Sequence, residues 1–68
     1  MKFIQLTEMV RGPRGTEQER SLYVNLAQVA AVQEGEGDQC FVYLLSGEDI
    51  FRIKGTAAKV IAMLRAAE

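Results

Sequence analysis

A chain of 68 residues, 49% of them apolar but with no Trp, three Phe and two Tyr, has material for one small, mostly aliphatic core and no second domain. Eight basic against nine acidic residues leave a net charge of −1, which argues against a partner held by bulk positive charge. There is no His, the commonest general base and metal ligand, and one Cys cannot form an internal disulfide. A cytoplasmic location is expected. Charges stand at Lys2 and Glu8, and no apolar run reaches the length of a signal peptide or the roughly 18 residues of a membrane span.

Residues 2–10 alternate, with Ile4, Leu6 and Val10 on one side and Phe3, Gln5, Thr7 and Met9 on the other, which predicts a first strand. Gly12, Pro13 and Gly15 end it, and the polar run through Arg20 reads as the rest of a long Arg11–Arg20 loop. A second strand is expected over residues 21–25. Asn25 then offers its side-chain oxygen to a single turn through Leu26-Ala27-Gln28. Residues 29–34 mix alanine with valine. They are read as a third strand because a Gly35-Glu36-Gly37-Asp38 turn follows directly, with a short helix over residues 25–33 as the alternative.

The clearest signal is a hairpin of residues 40–45 and 50–54 around Ser46-Gly47-Glu48-Asp49. Two-residue turns at either candidate position pair residues whose numbers sum to an odd value. Cys40, Val42 and Leu44 therefore share a face with Phe51 and Ile53, and Phe41, Tyr43, Leu45 and Ile50 share the other with Arg52 and Lys54. Thr56 is the expected N-cap of a terminal helix whose stripe of Ala57, Val60, Ile61 and Leu64 should pack on the Val42/Phe51 face. The expected fold is α+β: an antiparallel sheet of about five strands in two hairpins, meander-like and free to curl, with one C-terminal helix on a face. Residues 1–68 form a single domain.

Few residues suggest chemistry. Cys40 has no identifiable activating base and reads as a small core residue. The acids at Glu34, Glu36 and Asp38 lack the ligand alternation of a calcium loop and suit a solvated turn. Gly55-Thr56 at the helix start reads as punctuation rather than an anion site. No catalytic residue, metal or cofactor is expected. What stands out is the second hairpin face, where Phe41, Tyr43, Leu45 and Ile50 are more than a small monomer usually leaves in water. Either the first hairpin folds over this face or a second copy of the chain covers it, a dimer being the simplest case. Arg52 is expected to lie over the Tyr43 ring. Another class of partner, single-stranded nucleic acid, would be gripped by Arg11, Arg14, Arg52 and Lys54 beside these aromatics.

The order of motifs, Met1-Lys2-Phe3-Ile4-Gln5-Leu6-Thr7, then Tyr23-Val24-Asn25-Leu26-Ala27-Gln28-Val29-Ala30-Ala31-Val32, then Val42-Tyr43-Leu44-Leu45-Ser46-Gly47 before a strand and a helix, resembles the FlbD-type flagellar-operon proteins of bacteria and phage. Ser46 stands where their hairpin has Asn. That family brings no catalytic residues, so the resemblance implies a protein that is not an enzyme. The expected role is a small interaction or accessory protein of a bacterium or phage, with another protein as a further candidate partner.

Overall fold

Five strands hydrogen-bond into one antiparallel sheet in the computed structural model, which describes every residue from Met1 to Glu68. They are β1 (Phe3–Arg11), β2 (Glu17–Asn25), β3 (Val29–Glu34), β4 (Gln39–Leu44) and β5 (Ile50–Lys54), followed by the helix α1 (Ala57–Ala67). Across the sheet the order is β2-β1-β5-β4-β3. The first hairpin therefore docks beside β5 and widens the sheet; it does not fold over the second hairpin as another layer.

This order forces curvature. β2 and β3 are the two edges, about 19 Å apart in a flat sheet at roughly 4.8 Å per strand. Yet only Leu26–Gln28, a 3-10 turn, joins them. The chain from residue 25 to residue 29 reaches at most about 14 Å. The sheet curls until the end of β2 and the start of β3 approach each other, without closing. Asn25 Oδ1 accepts the Ala27 amide at 3.0 Å, and Leu45 N–H donates to Gln28 C=O at 2.8 Å, which fixes the link against the β4 end.

The inner face of the curl holds the core. Ile4, Leu6, Val24, Cys40, Val42 and Ile53 from the strands meet Ala57 and Val60 from α1. The expected parity of the second hairpin holds, with Cys40 opposite Ile53 and Val42 opposite Phe51. Thr56 caps α1 as expected, its Oγ1 accepting Lys59 N–H at 3.2 Å. Ala57 and Val60 are the buried anchors, Leu64 and Ala67 pack beside them, and Ile61 sits at the margin. Residues 29–34 form the strand rather than the alternative helix, with a bulge between Val29 and Ala31 that puts both Val29 and Val32 against the core.

Two boundaries differ from the sequence reading. The long loop is only a five-residue connection, because β2 begins at Glu17 and pairs Arg11 with Glu17 and Glu8 with Arg20. Arg14 (φ 61°) and Gly15 (φ 74°) turn the chain in the left-handed region between them. The polar run resembles a loop because an edge strand carries polar residues on both sides. At the other turn, Gly47 N–H donates to Leu44 C=O at 3.0 Å with Gly47 at φ 73°. Strand β4 ends at Leu44, so Leu45 lies in the connection.

Candidate functional site

The outer face of the sheet carries the odd-numbered residues of β1, β2 and β4, Ala31 and Gln33 of β3 past its bulge, and Ile50, Arg52 and Lys54. Ladder register gathers the expected patch: Phe41 stands opposite Arg52, and Tyr43 opposite Ile50. Phe41 and Tyr43 are half-buried by their neighbours, whereas Ile50 is 58% exposed and Leu45, just beyond the strand, 63% exposed. Gln33 and Ala31 of β3 flank the two aromatics. The Tyr43 hydroxyl donates to Gln33 Oε1, which fixes the ring toward β3.

Arg52 does not lie over Tyr43. Its guanidinium reaches the other way, across β1, to Glu17 Oε2 of β2 at 2.9 Å. Lys54 Nζ makes the parallel reach to Glu19 Oε2, also at 2.9 Å. Together these bridges cross the face that carries Thr7 and Met9, which are half-buried there. They divide the outer face in two. The half over β1 and β2 is roofed by paired charges, and the half over β5 and β4 is apolar with those pairs as its rim.

The four cations considered for nucleic acid are thus treated differently by the fold. Arg52 and Lys54 carry carboxylate partners, while Arg11 and Arg14 are exposed at the far hairpin end. Glu17 and Glu19, which lie in the loop expected from sequence, are site residues on strand β2. Residues 17–20 are all polar and carry no period of their own, so no local signal places them on a strand. Phe3 and Tyr23, 56% and 65% exposed, extend the outer face at its opposite end beside a Gln5 Nε2 to Ser21 Oγ hydrogen bond of 2.9 Å.

Elsewhere little is chemically poised. Cys40 is fully buried, and desolvation holds its thiol pKa above the ordinary 9.0. Glu8, the one buried charged residue, accepts from Arg20 Nε at 3.0 Å on the inner face. No three acidic or sulfur side chains converge in a way that would hold a metal ion. A shallow concavity beside Phe41 and Arg52 is walled by Glu34, Gly35, Glu36 and Gln39. The helix is not long or apolar enough to cross a membrane. No protein-family model matches the chain, and neither does any curated protein or solved structure.

Proposed function

We propose that this chain is a non-enzymatic interaction module that self-associates through the outer face of β4 and β5, using Phe41, Tyr43, Leu45 and Ile50. The observation that carries the reading is an apolar patch, bordered on its β1 side by paired charges, on a face that nothing else in the chain covers. Subunit interfaces have this anatomy, with an apolar centre depleted of free charge inside a polar rim. Surface area supports it. The chain exposes 4767 Å², against about 4250 Å² for a monomer of its mass, so roughly 500 Å² is in excess. Its radius of gyration is 11.8 Å, against about 10.9 Å for a chain of this length. The resemblance to FlbD-type proteins, which brings no catalytic residue, supports an accessory role.

Nucleic-acid binding has less support, because two of its four cations already hold carboxylates. The test is the native mass by light scattering coupled to gel filtration. Tyr43→Glu and Ile50→Glu each put a carboxylate into the patch and should lower the mass of the wild-type assembly. An unchanged mass in both overturns the reading. Retardation of single-stranded DNA or RNA at low salt, lost steeply as salt rises, would transfer the face to the other function.

A further inference from the structure

The two edges of the sheet are protected differently. The free edge of β2 carries Glu17, Gln18, Glu19 and Arg20, all exposed, the kind of charged edge that blocks pairing with another strand. The free edge of β3 carries Val29-Ala30-Ala31-Val32-Gln33, with no Lys, Arg or Pro and one charge, Glu34, at its end. Gly35 N–H donates inward to Gln39 C=O at 3.1 Å. Antiparallel alternation then turns the N–H and C=O of Gln33 toward β4 and those of Val32 and Glu34 outward, toward solvent. An unguarded edge with outward backbone donors and acceptors recognises an extended strand.

We propose that this strand is β3 of a second copy, paired antiparallel about a two-fold axis at Gln33. Three observations favour that occupant. The register lies within the regular stretch of β3 past its bulge, so Val32 and Glu34 exchange hydrogen bonds with the partner's Glu34 and Val32. Each carboxylate then faces a valine rather than its own counterpart, and no like charges oppose. The third is area. Even with all of the roughly 500 Å² excess on the outer face, one chain falls short of the about 800 Å² per partner of a standard interface. Pairing across β3 joins two sheets with both helices on the same side, so the two outer faces become one surface about twice as large as either alone. This last argument rests on the self-association reading above; the first two do not. A pair of such joined sheets, packed outer face to outer face, closes without leaving an open end.

Glu34→Pro removes one outward N–H and leaves the inward ladder of Gln33 and Gly35 in place; Glu34→Ala keeps the N–H and serves as its control. The expected result is that Glu34→Pro halves the native mass of the wild type, that it also halves the mass of the Tyr43→Glu variant to the 7.5 kDa monomer, and that Glu34→Ala does neither. Should Glu34→Pro not fold, amide exchange on the unmodified chain decides: the Val32 and Glu34 amides should be protected at high concentration and exchange freely on dilution. A mass insensitive to Glu34→Pro, or free exchange of both amides at every concentration, overturns the edge pairing. Loss of mass in Tyr43→Glu but not in Glu34→Pro removes the edge and keeps the face. The reverse keeps the edge and removes the face. A wild-type monomer overturns both.

Discussion

Val60→Ala should be the most damaging single truncation on the helix, because α1 is held to the sheet through very few side chains. Val60 is 1% exposed and sits in the cluster formed by Ile4, Leu6, Val24, Cys40, Val42, Ile53 and Ala57. Removing two carbons costs about 1.6 kcal/mol in transfer, and the cavity left among β-branched neighbours that cannot collapse adds about 1 kcal/mol. Alanine's better helix propensity returns about 0.6 kcal/mol. The net loss is about 2 kcal/mol, from a total that for this length lies at roughly 3–10 kcal/mol. With an unfolding entropy of about 0.14 kcal/mol per kelvin at 68 residues, the melting temperature should fall by about 14 °C. The assay is thermal unfolding by far-UV circular dichroism at one fixed protein concentration, since any self-association makes the midpoint concentration-dependent. Met63→Ala is the internal comparison. Met63 is 44% exposed, so water fills what the truncation leaves, and its shift should be less than half as large. Equal shifts, or a larger one for Met63→Ala, would refute the placement of the helix on the core through Val60.

Thr56→Ala removes the oxygen that accepts Lys59 N–H and should cost about 1 kcal/mol, while Thr56→Ser should retain most of it; urea titration of the three proteins separates them. Cys40 should resist a thiol-specific reagent in the native state at pH 8 and react at once in denaturant, because it is fully buried and its thiol pKa is raised by desolvation. The same shift sets a sign. The unfolded thiol ionises first, so Cys40 favours the folded state below its ordinary pKa of 9.0, and that contribution is lost as pH rises through the ordinary value toward the raised one. A Cys40→Ala variant should therefore show a shallower loss of stability above pH 9 than the wild type.

What the sequence disclosed depended on whether a signal was local. The β4–β5 hairpin was legible because its parity survives uncertainty in the turn, so Cys40, Val42 and Ile53 could be placed in the core without knowing where the strand ended. The Thr56 cap and the Asn25 turn were legible for the same reason, since donor and acceptor lie within three residues of each other. The start of β2 was not legible. Residues 17–20 have no apolar member to reveal a period, and the partners that give Glu17 and Glu19 a reason to be on a strand lie 35 residues away. The composition of the outer patch could be read from alternation in β4. The direction of Arg52 could not, because it depends on β1 lying between β5 and β2, a fact of sheet order that no local pattern contains. Curvature is not legible for a related reason: it follows from the short Leu26–Gln28 link only once β2 and β3 are known to be opposite edges.

The ion pairs that cross β1 matter more for the charge of the outer face than for stability. Arg52 and Glu17 have side chains 27% and 44% exposed, and Lys54 and Glu19 53% and 49%. Pairs this open to solvent contribute under about 1 kcal/mol each, so holding the fold together does not explain them. Their effect is to settle the charge of the outer face. Without Glu17 and Glu19, two cations would stand free beside Phe41 and Tyr43, and the face would offer an anionic strand both stacking and phosphate contact. With the pairs in place, Arg52 and Lys54 are drawn toward β2, and the aromatics stand across the ladder from the uncharged Ala31 and Gln33 of β3. Strand β2 thus serves the patch twice, guarding its own edge from pairing and neutralising the cations of β5. The free edge of β3, next to the same aromatics, has no such guard, which places the unprotected edge and the unprotected face side by side.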